Sequence, residues 1–381
     1  MTDSLPRERA GSKGVDPEPP RERRGDPWAI ALGLLGGVLL GTGLTFAILG
    51  YVGVFEEPTP PTIPPPPTLT APSPTAAPPT FGEEVTAASI ANGVIPSTVA
   101  IDISTFLLGG SGSGVIYGDS GYIITNHHVI DGASNISVIF ADGATFPAEV
   151  VGSDPITDIG VVLVARQDLT PLAIGSSDEL SIGEPAVAVG NPLGLAGGPT
   201  VTSGIVSALD RTLETTAGSS LYGLVQTDAP IAPGSSGGAL VDAAGRLIGI
   251  TTAIAVSDVG AEGLGFAVPI DLAVGVANDL IESGEVRHAL IGIRGGTALA
   301  EEDGAAYPVG VLVDNLTSGS AFEDAGGQIN DVIVAVDGHE VRTLDSLLAR
   351  LRRLRAGDTI PVRILRADSE TTLDVTLGLL Q

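Results

Sequence analysis

Between residues 82 and 275 the chain is cut into ten short β-rich runs, STVAIDIS, SGVIYG, GYIITN, ISVIF, AEVVG, IGVVLV, AVAVG, VTSGIVSAL, LIGITTAI and LGFAVP, with turn signals between them. Strands this short and regularly spaced close into a sandwich or a barrel. The composition agrees, since 52 glycines in 381 residues exceed the average share of roughly 7% and suit turn-rich β structure better than a helical bundle. A smaller unit follows from about residue 286, with strands IGIRG, GVLVDNL, DVIVAVDG and IPVRILR. A helix is expected over about 345–355, with leucines at 347, 348, 351 and 354 at helical spacing and Gly357 as its stop.

The chain has no cysteine, so neither disulfides nor a thiolate zinc site can hold it together. Its formal charge of -27 falls wholly after residue 27, because the first 27 residues carry six basic and six acidic side chains. So acidic a body repels nucleic acid. Trp28 to Phe55 is 28 residues without a charge, more than the about 20 helical residues needed to cross a bilayer core. A single transmembrane helix is expected there. Arg7, Arg9, Lys13, Arg21, Arg23 and Arg24 precede it, and the next basic residue after it is Arg166, a bias that puts the N-terminus in the cytoplasm. Residues 57–80 hold 11 prolines, the composition of an extended stalk reaching roughly 70 Å at about 3.1 Å per residue. The expected organisation is a cytoplasmic segment (1–27), a transmembrane helix (28–55), a Pro-rich stalk (56–81), a β-rich domain (82–275) and a smaller α+β domain (286–381).

Pro233-Gly234-Ser235-Ser236-Gly237-Gly238 stands ahead of an apolar strand. By itself a Gly/Ser cluster reads as a turn. Flanking glycines also let a backbone turn tightly enough to expose a serine Oγ, with the amides of Gly234 and Ser236 converging where an oxyanion develops. Thr125-Asn126-His127-His128-Val129 closes a strand, and the DPITDIGV segment from Asp154 to Val161 lies between it and the serines. The order His, Asp, Ser is that of chymotrypsin. A serine hydroxyl is a weak nucleophile, so an imidazole must take its proton and a carboxylate must hold the imidazole's tautomer and stabilise its charged form. The chain has four histidines, two of them adjacent, so His127 and His128 compete for one role as Ser235 and Ser236 compete for another. No clustered ligand set points to a metal, and no cofactor is expected.

With SGSGVIY, GYIITNHHV, DPITDIGVV, AVGNPLGL, VTSGIVSALDR, QTDAPIAPGSSGGAL and GLGFAVP in hand, the chain resembles the HtrA/Deg serine proteases over most of residues 100–270. The resemblance implies a mainly β fold: a chymotrypsin-like double β-barrel protease domain plus a C-terminal PDZ domain. In that family's TNxHV pattern the second histidine is catalytic, which selects His128, and Asp158 and Ser236 match the other triad members. This chain has Ser235 where the family usually has Asn, and DIGV where it usually has DIAV. The two glycines after Ser236 favour it over Ser235. The resemblance also implies that Thr252, Ala253 and Ile254 form the strand that pairs with substrate, and that Ile231 and Ile254 line an apolar specificity pocket. Arg211, in a segment similar to the family's sensor loop, is a candidate regulatory contact to the PDZ domain.

From Arg287 to Gln381 the chain resembles a bacterial PDZ domain, with Leu290, Ile291, Gly292 and Ile293 matching the carboxylate-binding loop. Relatives usually read AGLxxGD where this chain reads AGGQIND. PDZ domains add a peptide as a β-strand and hold its C-terminal carboxylate on backbone amides. Arg350, Arg352, Arg353 and Arg355 are expected beside that groove, favouring peptides with an acidic residue. The resemblance implies a membrane-anchored endopeptidase, assembled as a homotrimer, that cleaves unfolded or damaged proteins in the periplasm or outside the cell. A non-enzymatic peptide-binding chaperone or scaffold is the alternative.

Overall fold

The computed structural model describes residues 86–104, 109–191, 198–215, 218–252, 264–367 and 369–380. The expected membrane span and stalk lie outside them. Among the described residues no helix is long and apolar enough to cross a membrane.

Two closed antiparallel barrels make up the first part. β1 (Thr98–Ser104), β2 (Gly109–Tyr117), β3 (Tyr122–Thr125), β4 (Asn135–Ile139), β5 (Thr145–Asp154) and β6 (Ile159–Val164) close in the order β1-β2-β3-β6-β5-β4. β7 (Pro185–Gly190), β8 (Thr200–Glu214), β9 (Ser220–Thr227), β10 (Ala239–Val241), β11 (Leu247–Thr252) and β12 (Gly265–Pro269) close in the order β10-β11-β12-β9-β8-β7. The double barrel is the architecture that the sequence resemblance implied.

Side-chain alternation explains why the strands are apolar on both faces. On β3, Ile123 fills the first barrel while Ile124 points into the seam between barrels, and on β6 Val162 and Val164 fill the barrel while Ile159 and Val161 face the seam. β7 mirrors this, with Ala186 and Ala188 inside the second barrel and Val187 and Val189 in the seam. Successive residues of a strand point to opposite faces, so a strand with both faces buried reads as a continuous apolar run. β9 and β10 were not among the ten runs. β9 reads SLYGLVQT, in which polar residues interrupt the pattern, and β10 is only three residues long.

The seam is closed by α1 (Ala87–Val94) and, after the single-turn segment α2 (His127–Ile130), by α3 (Ile270–Ser283). α3 was not foreseen. It buries Ile270, Leu272, Ala273, Val276, Ala277 and Leu280, contacts β5, β6, β11 and β12, and stops at Gly284, whose φ of 77° is left-handed. Each large apolar side chain buried this way stabilises the pair of barrels by about 1.5–3 kcal/mol.

The second part is a sheet in the order β14-β15-β16-β18-β19, built from β14 (Ile293–Glu302), β15 (Ala305–Leu316), β16 (Val332–Val336), β18 (Thr359–Arg366) and β19 (Ser369–Thr376). β17 (His339–Glu340) pairs with β16, and β13 (Ala289–Leu290) pairs with β20 (Gly378–Leu379). Its core joins Val311, Val313, Phe322 of α4 (Ala321–Asp324), Ile333, Val362 and Ile364 to Leu347 and Leu351 of α5 (Leu344–Arg352). Thr343 and Ser346 form a reciprocal capping box at the start of α5. The helix ends at Arg352 rather than running to Gly357. Gly357, at φ 98°, donates its N–H to Leu377 O at 2.8 Å and so belongs to the following turn.

The AGGQIND departure has a simple outcome. Asn330 takes the left-handed conformation, φ 73°, at the position where relatives have glycine, and asparagine tolerates that region better than most residues. The next residue, Asp331, is buried and held bidentately by Arg366, with both nitrogen–oxygen distances 2.7 Å.

The four arginines of the α5 segment are placed differently from the sequence expectation. Arg353 pairs with Asp178 and Arg355 with Asp279 of α3, both in the barrel part, while Arg350 pairs with Asp337. Arg352 is half-buried; burial lowers its basicity, and Asp154 and Tyr222 of the barrel part act against that shift. The cause lies in the helix geometry. Leu347, Leu351 and Leu354 take one face into the core of the second part, and Ala349 seats on β9, where a Cβ on Gly223 would come within 3.0 Å of it. Arg352, Arg353 and Arg355 therefore face the acidic barrel part while Arg350 is taken up by Asp337, and the expected arginine preference for acidic peptides loses its structural basis.

Candidate active site

The histidine segment is positioned by what surrounds it. β3 delivers Thr125 to the end of the first barrel, and its neighbour across the sheet, Gly160, is the second residue of β6, two positions after Asp158. Asn126 and His127 then bind the backbone of Asp158: Asn126 Nδ2 donates to its carbonyl at 2.9 Å and the His127 N–H donates to the same oxygen at 3.2 Å. Asp158 itself is left-handed, with φ 59°, a conformation that aspartate adopts more readily than most residues.

Three donors converge on the buried Asp158 carboxylate. The His128 N–H reaches Oδ1 at 3.1 Å, His128 Nδ1 is 2.9 Å from both oxygens, and Thr252 Oγ1 donates to Oδ2 at 3.0 Å. Such a carboxylate fixes the ring's rotation and keeps Nδ1 protonated, leaving Nε2 as the basic atom. His127 is turned elsewhere, with its Nδ1 2.9 Å from Ser153 Oγ. The geometry thus separates the two histidines that the sequence left adjacent. Thr252, expected on the substrate-pairing strand, also touches the aspartate. Replacing it with valine removes a hydrogen bond to a charged group, typically about 1.5–3 kcal/mol. We expect Thr252→Val to lower kcat about ten-fold or more with little change in KM, measured on a short fluorogenic peptide.

The serine loop is pinned from the first barrel. Ser113 of β2 donates its N–H to Ser236 O at 2.7 Å and its hydroxyl to Gly234 O at 2.8 Å. The same hydroxyl accepts the Asn191 N–H at 2.8 Å, and Thr125 Oγ1 donates to Ser113 O at 2.7 Å. From the second barrel, Thr251 Oγ1 donates to Ser235 O at 2.6 Å and Gly237 N–H donates to Thr251 O at 2.8 Å. Gly234 and Gly237 are left-handed, at φ 90° and 85°. Ser236 is buried in this clamp at 5% exposure. The sequence did not reveal Ser113 or Thr251. Both belong to motifs quoted above, but only the fold shows what their hydroxyls hold.

The remaining expected positions are distributed as follows. Ile231 is half-buried against Gly265 of β12, while Ala253 and Ile254 lie outside the described residues. A cavity of about 80 Å³ lies beside Ser235, lined by Ala188, Gly190, Thr202, Pro230, Ala232 and Thr251 among others. Arg211 lies on β8, and its Nε donates to Gln226 Oε1 of β9 at 2.9 Å. In the second part, Leu290 is partly exposed on β13 and Ile291 is buried. Their loop is tied down by Phe322 N–H to Ile291 O at 3.1 Å and Thr317 N–H to Gly292 O at 3.0 Å. Gly292 is left-handed, φ 80°, and a side chain there would strike Ser320. Ile293 begins β14, which is an edge strand of its sheet. Among the described residues no group of three or more His, Cys, Asp or Glu could hold a metal ion.

Two barrels meeting at a buried aspartate, a histidine bound to it and a glycine-flanked serine define a trypsin-like serine endopeptidase. Family comparison agrees: a trypsin-like peptidase domain matches residues 112–250 and a PDZ domain matches residues 285–377. The serine protease PepD of Mycobacterium tuberculosis is 36% identical over 373 residues, covering 92% of this chain and 77% of that protein. The periplasmic pH-dependent serine endoprotease DegQ of Escherichia coli is 40% identical over 277 residues, covering 70% of this chain and 59% of its own length. Among solved structures, the HtrA-type protease AlgW with tripeptide superposes with a TM-score of 0.64 at 35% identity, covering 78% of this chain and 98% of that one. The chain belongs to the HtrA/Deg family of serine proteases.

Proposed function

We propose that this protein is a membrane-anchored endopeptidase that cleaves unfolded or damaged proteins outside the cytoplasm, with His128, Asp158 and Ser236 as its triad. The observation that carries the reading is His128 Nδ1 at 2.9 Å from the buried Asp158 carboxylate. In this reading Ser236 Oγ attacks the scissile carbonyl as His128 Nε2 takes its proton, and Asp158 stabilises the imidazolium. The oxyanion is met by the amides of Gly234 and Ser236. His128 then returns the proton to the leaving amine, and water attacks the acyl-enzyme by the same route in reverse.

Thr252, Ala253 and Ile254 pair with the substrate backbone, Ile231 and Ile254 shape an apolar pocket, and the enzyme works as a homotrimer. The charge-free run 28–55 and the basic residues before it support a cytoplasmic N-terminus, with both folded domains periplasmic or extracellular. The loop from Leu290 to Ile293 takes a peptide's C-terminal carboxylate, the peptide adds to the open edge of β14, and Arg211 relays that binding to the protease. The test is degradation of casein by the full-length protein in detergent beside its Ser236→Ala variant. Activity confined to the unsubstituted protein is expected, with fragments ending in Val, Ile or Ala because a charged side chain would be left unpaired in an apolar pocket. Equal activity of both proteins overturns the nucleophile, and fragments ending mainly in Lys or Arg overturn the pocket.

A further inference from the structure

The turn that carries Asp158 is braced from an unexpected direction. Asp154 closes β5, and four residues later Asp158 precedes β6. Within this turn the Asp154 carboxylate accepts the Ile156 N–H at 3.3 Å, the Thr157 N–H at 3.0 Å and the Thr157 hydroxyl. One more donor comes from the PDZ part: His288 Nε2 lies 2.9 Å from Asp154 Oδ1. Both residues are buried, at 4% and 5% exposure. Burial pushes the Asp154 carboxyl up, but the bonds from His288 and Thr157 outweigh it and hold the group below its ordinary value.

His288 is not on a loose tether. Its backbone bridges to Arg355 at the end of the α5 segment, and its carbonyl accepts the Leu380 N–H at 2.9 Å. It is thereby fixed to the PDZ part through both the helix end and the C-terminal strand. Arg352 reaches the same turn from α5, lining a small cavity with Ile156, Thr157 and Tyr222. The Asp154 charge in turn offsets part of the loss of basicity that burial imposes on Arg352. The PDZ part therefore touches the aspartate turn at two side chains, one of them a direct bond. On the turn's other side, the Asp158 carbonyl is held by Asn126 and His127.

We propose that His288 is a positioning residue for the catalytic aspartate: through Asp154 it holds the 154–158 turn in the shape that aims Asp158 at His128, so that the docked PDZ domain is part of the working active site. This rests on the triad reading above. A buried carboxylate that loses a partner must either recruit water or take a proton, and either change loosens the turn it braces. Asp158, already in a left-handed conformation, is the residue at the end of that turn. The effect falls on transition-state stabilisation by the His128–Asp158 pair and leaves substrate contacts untouched, so it appears in kcat and not in KM.

The test compares His288→Ala and His288→Gln in the full-length protein in detergent. Glutamine places an amide N–H near the position of Nε2, and His288 Nδ1 makes no hydrogen bond, so glutamine keeps the one polar contact of the ring. Readouts are kcat and KM on a short fluorogenic peptide with valine at P1, and the rate at which a fluorophosphonate labels Ser236. His288→Ala is expected to lower both kcat and the labelling rate about ten-fold with KM unchanged, and His288→Gln to recover most of the loss. Unchanged kcat in His288→Ala overturns the proposal. So does an equal loss in both variants, which marks a packing role. Should His288→Ala not fold, His288→Met fills similar space without a donor and carries the same comparison. A Ser236→Ala protein that still turns over the peptide overturns the triad instead, whatever the His288 variants show.

Discussion

Ser236→Ala and His128→Ala are expected to lower turnover of casein by several orders of magnitude, while Ser235→Ala and His127→Ala keep most of it. The contrast between neighbours is what the site geometry requires. Only one histidine can present Nε2 to a nucleophile while its Nδ1 is held by a carboxylate, and His128 is the one bonded to Asp158. His127 instead faces Ser153, so its loss removes one neutral hydrogen bond, about 1 kcal/mol of stability, and no step of the reaction. For the serines, the backbone carbonyls of Gly234, Ser235 and Ser236 are all pinned, by Ser113 and Thr251. Removing the Ser235 hydroxyl leaves every one of those bonds in place. Melting temperatures measured beside kcat separate catalysis from folding, since all four variants are expected to melt within a few degrees of the unsubstituted protein. If Ser235→Ala or His127→Ala proves inactive while its neighbour retains turnover, the register of the site is shifted by one residue.

How far the sequence revealed this protein depends on how local each feature is. The histidine, aspartate and serine segments are legible because each is contiguous, and the barrels because their strands are buried on both faces and so read as apolar runs. α3 shows what a strand-minded reading misses: Ile270, Ala273, Val276, Ala277 and Leu280 have helical spacing, yet the segment follows directly on the strand GFAVP without a loop. The bond from Thr252 to Asp158 is a contact across 94 residues. The bond from His288 to Asp154 spans 134, and no local pattern encodes either. The arginines of α5 are legible in the sequence as a cluster, but their direction is not. A helix offers several faces, and the side packed on β9 is decided by tertiary fit at Ala349 and Gly223. That outcome gives the acidic surplus a second consequence, because Asp178 and Asp279 in the barrel part supply partners for arginines that would otherwise be solvated. Exposed pairs of this sort contribute at most about 1 kcal/mol each and weaken with salt, so the docking of the two parts relies on the buried contacts at Ala349 and His288 more than on its charges.

Gly237→Ala is expected to cut kcat by about a hundred-fold or more and to lower the melting temperature as well. Two penalties add at this position. Its φ of 85° is left-handed, which costs a residue with a Cβ roughly 1–2 kcal/mol. The new methyl group would also be driven into Ser113 O and Thr125 Oγ1. Neither can retreat. Ser113 is fully buried and paired with Ala100 in the first barrel, and its carbonyl already accepts the Thr125 hydroxyl. Thr125 lies three residues before His128 on the strand that delivers the histidine. The loop must therefore yield instead, and its movement carries Ser236 away from the carbonyl and amide positions that the clamp fixes. A displacement of about 1 Å at a reacting group is enough for a hundred-fold loss. Gly245→Ala is the control: its φ of 74° imposes a similar backbone strain, but the methyl group meets only Ile90 and Val94 carbons at 3.9 Å. That variant should lose stability by about 1–2 kcal/mol and keep its kcat. Fluorophosphonate labelling and thermal melts of both variants decide the matter, and a Gly237→Ala enzyme no slower than Gly245→Ala would show that the serine loop is not held against the first barrel as described.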